Sequence, residues 1–236
     1  MNPEELQKLF EFLDVKKFID PIDSKIQKKF DLAFKGLKEK VKINNNRVSV
    51  DKDSFAKVIG QAYEKGAKYL KIHLIKENKD LNVDIGFSFS DIEIPKDLTV
   101  DHDFDFFWTL KDDILVGSEK KPFEQYKTNF KETFSELVRQ STDQKCTEFI
   151  QYDIENVIRY IIRNFLSNTF ESKKIILNFF VFKEYSANTK LNNRIGISVH
   201  NTLTFTETET ETETEAETAK KKEAESIGYD FGTVYP

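Results

Sequence analysis

The chain has 236 residues, enough for one large domain or two small ones with a buried core. Its net charge of −5, from 36 basic and 41 acidic side chains, disfavours a dedicated nucleic-acid binder, because such proteins usually carry a basic excess. The one cysteine, Cys146, excludes both an intramolecular disulfide and a cysteine-based zinc site.

The sequence carries no membrane or export signal that we recognise. No stretch approaches the roughly 18 apolar residues that a membrane-spanning helix needs. The first 13 residues lack the basic start and apolar run of a signal peptide. We therefore predict no membrane contact and a cytoplasmic location, or a place inside a particle assembled in the cytoplasm.

Helical spacing and chain breakers predict three helices and one short strand in the first third of the chain. These elements are helices at residues 6–13, 24–41 and 53–66 and a strand at 48–50. Asp53 is predicted to be the N-cap of the third helix, and Gly66 is placed to stop it.

The period then changes from helical to alternating. Leu70, Ile72 and Leu74 fall on one face, and a second alternating run covers residues 81–89 after a polar turn. This pattern predicts a β-hairpin. Residues 92–117 are predicted to continue as short strands, with Phe106 and Trp108 among the alternating apolar residues.

The second half of the chain repeats this succession of helices and strands. Ser118 is predicted to cap a fourth helix, and a fifth helix with a wide apolar face runs from about residue 147 to 167. Residues 175–182 are apolar on both faces, which is typical of a central strand, and residues 195–205 alternate again. The helical residues predicted to lie in the core are Phe30, Phe34, Phe130, Phe134, Ile158 and Ile162.

The order helix, helix, hairpin occurs twice, over roughly residues 24–90 and 119–205. The spacing of Phe30, Phe34 and Leu37 recurs at residues 130, 134 and 137. An ancient duplication with a pseudo-twofold axis would explain this. Chance recurrence stays open as well, because this spacing is common to core-facing helices.

The densest acidic run within residues 1–205 contains Asp101, Asp103 and Asp105. On a strand, their carboxylates would share one face and could hold a divalent cation. They are also explained as the solvated face of an amphipathic strand, and no second cluster completes a metal site. We predict no metal and no other cofactor, while an enzyme with an acidic, metal-assisted site around these residues stays an alternative.

Other catalytic patterns are weak. His73 and His200 lie opposite the apolar face of a strand or at its edge, and no paired histidine motif accompanies them. There is no glycine-rich phosphate loop and no nucleophile-elbow motif. We assign no catalytic residue, and the sequence favours a non-enzymatic protein.

The second helix has a mainly basic outer face. Its lysines are Lys25, Lys28, Lys29, Lys35, Lys38, Lys40 and Lys42. Such a stripe could meet phosphates, which makes a nucleic-acid accessory protein a further alternative. A solvated helix face explains it equally.

The C-terminal extension is the most unusual segment, because residues 206–217 alternate threonine and glutamate. Several unpaired carboxylates cannot enter a core, so we predict either a disordered linker or an arm that orders against a neighbour. The chain then ends in aromatic and apolar residues that suit docking into a groove on a partner, or back onto the parent domain. The predicted partner-binding residues are Tyr229, Phe231, Val234 and Tyr235.

Together these patterns predict an α+β fold, with a mainly antiparallel sheet packed by four or five amphipathic helices. Residues 1–205 would form the globular domain, with 1–117 and 118–205 as optional sub-units, and 206–236 the polar extension. The function that we predict is a non-enzymatic structural or interaction subunit of a larger assembly, such as a phage particle or secretion machine. The extension would contact a protein partner or another copy of the chain.

Overall fold

The computed structural model describes residues 23–77, 80–91, 106–134, 147–166, 174–184, 191–201 and 233–235. The helices in these ranges are α1 (Ser24–Val41), α2 (Lys52–Glu64), α3 (Lys120–Thr133) and α4 (Ile154–Leu166). The strands are β1 (Arg47–Asp51), β2 (Tyr69–Ile75), β3 (Asp84–Ser90), β4 (Phe107–Lys111), β5 (Ile114–Ser118), β6 (Phe149–Asp153), β7 (Lys174–Val181), β8 (Ile195–Asn201) and β9 (Thr233–Tyr235). None of the described helices is both long enough and apolar enough to cross a membrane.

The strands form two antiparallel sheets, which confirms the predicted α+β class. The small sheet has the order β1-β7-β8, so β7 is the central strand that its two apolar faces predicted. The large sheet has the order β5-β4-β3-β2-β6, and the short β9 extends it at the outer edge of β6. The predicted hairpin is the pair β2 and β3, which match along seven residue pairs.

Both sheets contribute to one core. Residues from each sheet and from α2 and α4 line a small apolar cavity, among them Ile72 of β2 and Leu177 of β7. On the other side of the small sheet, α1 stacks Phe30 on Phe180 with ring centroids 5.4 Å apart. The helix α3 lies against the large sheet at Gly86, where an added Cβ would come within 2.4 Å of the Phe123 ring.

Four of the six predicted core residues are buried. Phe30, Phe34, Phe130 and Phe134 have 5%, 2%, 1% and 1% of their surface exposed. Ile158 and Ile162 are partly buried, and Ile158 packs against the core. The apolar face predicted for α4 is therefore wider than the surface that the core fully covers.

The element order helix-strand-helix-strand-strand occurs twice, as α1-β1-α2-β2-β3 and as α3-β6-α4-β7-β8. The pairing between the two units is reciprocal, since β1 pairs with β7 and β6 pairs with β2. In both pairs, the last residue of the first strand opposes the first residue of the second: Asp51 opposes Lys174, and Asp153 opposes Tyr69. This shared register favours an internal duplication over chance recurrence.

Two predicted helix caps are wrong. The cap of α2 is Asp51, whose side chain accepts a hydrogen bond from Ser54 N at 2.8 Å, and Asp53 lies inside the first turn. Glu119 occupies the cap position of α3 without a side-chain bond, while Ser118 is the last residue of β5. In both cases a strand runs almost directly into the helix, so the helix start is fixed by where strand pairing ends.

The predicted fifth helix begins later than expected, because its first turn is the strand β6. Phe149–Asp153 pairs with β2 along five residue pairs, which places Ile150 and Tyr152 in the core. Asp153 then ends the strand and caps α4, since its Oδ1 accepts from Glu155 N at 2.9 Å. Sheet pairing has overridden the local helical pattern.

Several sequence-based expectations lie outside the described residues. They are the helix at 6–13, the acidic run with Asp101, Asp103 and Asp105, the strand continuation to residue 205, and most of the extension with Tyr229 and Phe231. The division of the chain into sub-units 1–117 and 118–205 also stays a prediction.

Candidate functional site

The outer edge of β6 presents backbone groups away from the rest of the sheet. Leu74 N of β2 donates to Glu148 O, just before β6, at 3.2 Å. Hydrogen bonding alternates along an antiparallel pair, so the even-numbered residues of β6 bond to β2. The N–H and C=O groups of Phe149 and Gln151 therefore point outward, to the edge of the sheet.

The last strand of the chain occupies this edge. In the pairing of β9 with β6, Tyr235 opposes Phe149 and Thr233 opposes Gln151. These are the two outward-facing residues of β6, so both pairs exchange backbone hydrogen bonds. Two of the predicted partner-binding residues, Val234 and Tyr235, thus lie in a strand that returns to the parent domain.

The side chains at this edge are buried. Phe149 and Gln151 are 6% and 5% exposed. The Lys71 Nζ lies 5.3 Å from the centroid of the Phe149 ring, a cation–π contact, and the His73 ring lies 5.4 Å from it. These contacts could not be predicted, because the sequence pattern assigns Phe149 and Gln151 to a helix.

His73 is buried among these side chains. Its Nε2 lies 2.8 Å from Ser88 Oγ, and the Phe123 ring of α3 meets it edge-on. Burial lowers the pKa of His73 well below its usual value, and the positive charges of Lys127 and Lys71 lower it further. The histidine predicted to face away from the apolar side is thus covered by α3.

The equivalent edge of the small sheet, at β1, is contacted by a turn instead of a strand. Asp51 N, at the end of β1, donates to Asp113 O at 2.7 Å. Asp113 lies in the turn between β4 and β5 and has a positive φ of 67°. Its carboxylate forms an ion pair with Lys174 at 2.5 Å. The β4–β5 turn therefore contacts the edge of β1, whereas the C-terminal strand contacts the edge of β6.

A second polar cluster lies between α1 and the small sheet. Ser198 Oγ is 2.9 Å from His200 Nε2, and the Gln27 amide donates to Ser198 Oγ at 3.1 Å. A serine beside a histidine is the arrangement of an activated nucleophile. Here, however, the two residues are only 0% and 6% exposed, so a substrate has no access. We assign the cluster to helix–sheet packing, in which buried polar groups satisfy one another.

The same interface buries the carboxylate of Asp31. Asn178 Nδ2 of β7 donates to Asp31 Oδ1 at 3.0 Å. Burial raises the pKa of Asp31 from 3.8 to about 6, and the hydrogen bond from Asn178 opposes that rise. Asn178, the residue that interrupts the apolar run of β7, therefore forms a hydrogen bond with a polar side chain of α1.

Replacing Asp31 with asparagine is expected to stabilise the protein near neutral pH. The folded-state pKa lies above the unfolded value, so the free energy of unfolding falls as pH rises from about 4 to about 6 and stays low above it. Asp31→Asn removes this loss while keeping an acceptor for Asn178. Because Asp31 is partly exposed, we expect a gain of about 1 kcal/mol at neutral pH, vanishing below about pH 4.

The measurement is urea unfolding across this pH range, followed by circular dichroism. Glu39→Gln, which removes an exposed carboxylate from the same helix, is the matched control and should follow the wild-type pH profile. A loss of stability of Asp31→Asn at every pH would show that the carboxylate is needed as a charge.

The lysine face of α1 is exposed, as predicted, and part of it has structural partners. Lys29 pairs with Glu184 at 2.6 Å, and both side chains are exposed, so the pair contributes little stability. Lys38 and Lys40 lie in the last turn, where positive charge complements the helix dipole. These contacts fit a solvated helix face.

The described part of the chain contains no group of three side chains able to hold a metal ion. The predicted acidic site lies outside it, so the absence of a metal stays a prediction. Comparisons with known protein families, characterised proteins and solved structures find no match to this chain. Its function is inferred from its own geometry, of which the edge of β6 is the most specific feature.

Proposed function

We propose that this protein is a non-enzymatic interaction subunit that joins a larger protein assembly through its C-terminal extension. The pairing of Thr233–Tyr235 with β6 supports this most directly. In this pairing Thr233–Tyr235 form an extended strand, and Thr233 and Tyr235 oppose the two residues of β6 whose backbone groups point outward. Strand addition of this kind takes affinity from backbone hydrogen bonds and specificity from alternate side chains.

The character of the edge supports the same proposal. Natural edge strands are usually protected by lysine, proline or a bulge, because unpaired backbone groups recruit other strands. The outward-bonding Phe149 and Gln151 carry no charge, and β6 contains no lysine and no proline. Such an edge is suited to an occupant rather than to open solvent.

The balance of energies indicates that the occupant can leave. Each backbone hydrogen bond contributes about 1 kcal/mol net, and each of the two bonded pairs exchanges two of them. Closing a loop of about 30 residues costs about 3 kcal/mol, and β8 and β9 are separated by a segment of this length. Because gain and cost are similar, docking within one chain is marginal, and β9 is available for other contacts.

Deleting residues 207–236 is expected to leave a folded domain that associates less. The deleted segment adds only β9 to the described fold, so circular dichroism should change little. Light scattering at high concentration, and pull-down of an untagged copy by a tagged copy, should both show weaker association.

A subtler variant pair separates the strand from the rest of the extension. Thr233→Pro with Tyr235→Pro removes the two backbone N–H groups of β9 that bond to β6, whereas Thr233→Ala with Tyr235→Phe keeps them. The proline variant should resemble the deletion and its control the wild type. Unchanged association in both the deletion and the proline variant would reject the extension as a binding element.

A further inference from the structure

We infer that the C-terminal strand exchanges between copies of this chain, so that β9 of one copy pairs with β6 of a second copy. This inference rests on the proposed function, in which the extension makes the assembly contact, and it names the partner as another copy of the chain. The receiving site is the outer backbone of Phe149 and Gln151.

The length of chain between the body and β9 permits the exchange. The strand β8 ends at Asn201 and β9 begins at Thr233, so residues 202–232 connect them. A fully extended segment of this length spans about 100 Å. That distance exceeds the diameter of a domain of this size, so the connection can reach the β6 edge of a neighbour as well as its own.

The contacts are the same in either case. The pairing of β9 with β6 involves backbone groups of Thr233, Tyr235, Phe149 and Gln151, and every copy carries the same donor strand and the same receiving edge. The choice between the two arrangements is therefore set by concentration. Tethering presents the end of a chain at an effective concentration of around millimolar, and copies packed in an assembly reach a similar local concentration.

Reciprocal exchange between two copies also gives a closed dimer. If two copies each donate β9 to the other, both edges are filled and the pair has the twofold symmetry that is commonest among homo-oligomers. One association event then makes two strand contacts, which strengthens an individually marginal contact. This accounts for a docking strand of only three residues on a tether of more than thirty.

Disulfide trapping between two different single-cysteine chains tests the exchange. Both chains carry Cys146→Ser; one also carries Gln151→Cys and the other Thr233→Cys. Opposed residues in a hydrogen-bonded pair lie about 5.5 Å apart at Cα, within the range of a disulfide. The two chains are mixed at about 0.5 mM under mild oxidation and separated on a non-reducing gel. Mass spectrometry then identifies the linked peptides.

The matched control replaces Gln151→Cys by Glu64→Cys, an exposed position at the end of α2. We expect about tenfold more heterodimer with Cys at 151 than with Cys at 64, because only the former is opposite the donor strand. Equal yields from the two mixtures would overturn the exchange.

A chain carrying both Gln151→Cys and Thr233→Cys separates the remaining outcomes. If it closes within the monomer while the mixture gives no heterodimer above the control, β9 docks only on its own chain. The exchange is then rejected, but the extension can still bind a different protein. If neither sample links, the pairing of β9 with β6 is rejected, and with it the main support for the proposed function.

Discussion

Replacing Phe34 with alanine is expected to lower the free energy of unfolding by about 3–5 kcal/mol. Phe34 lies on α1, is 2% exposed and packs against Phe179 of β7 with ring centroids 6.0 Å apart. Truncation would leave a cavity between helix and sheet that neither rigid element can close. Urea unfolding followed by circular dichroism measures the loss.

Leu32→Ala provides the matched control on the same helix. Leu32 is 61% exposed, so its truncation should change the free energy of unfolding by under about 0.5 kcal/mol. If the two variants lost equal stability, α1 would not be packed against the small sheet as described. Phe134, which is 1% exposed at the end of α3, offers the same test for the large sheet.

The elements with long, regular periodicity could be predicted from the sequence. Helix α1 and the hairpin of β2 and β3 bury one face against the core, and that face repeats along the chain at the period of the element. The central position of β7 could also be predicted, because a strand covered on both sides needs apolar residues on both.

The strand β6 could not be predicted, for a reason visible in its residues. Ile150, Ile154 and Val157 are spaced at four and three residues, as on a helix, although the first of them lies in β6 and the others in α4. The apolar pattern passes through the junction without a break. Only the pairing of β6 with β2, which joins residues about 80 positions apart, decides the structure here.

The candidate site shows the same limit of local sequence information. The aromatic and apolar end of the chain predicted a docking segment, and docking on the parent domain was one of its expected targets. The receiving residues Phe149 and Gln151 had no signature, since an exposed edge is defined by which strands are already paired. That pairing is set by the reciprocal arrangement of the two repeated units, which no single segment encodes.

Deleting residues 207–236 is also expected to have a large effect on amide hydrogen exchange at residues 149–152. In the full chain, the amides of Ile150 and Tyr152 donate to β2, and those of Phe149 and Gln151 donate to β9. Deleting residues 207–236 removes the second set of acceptors and leaves the first. The exchange rates of Phe149 and Gln151 should rise about fivefold, because docking that is favourable by about 1 kcal/mol gives about that much protection and its loss removes it.

Residue-resolved exchange measured by NMR on the full chain and on the deletion variant is therefore the most direct test of the claim that the C-terminal strand docks on β6. The account predicts alternation: faster exchange at Phe149 and Gln151, with unchanged protection at Ile150 and Tyr152. A general loss of stability would instead accelerate all four amides together. Equal rates for Phe149 and Gln151 in the two proteins would contradict the docking of β9, and uniform acceleration would show that the extension stabilises the whole domain rather than one edge.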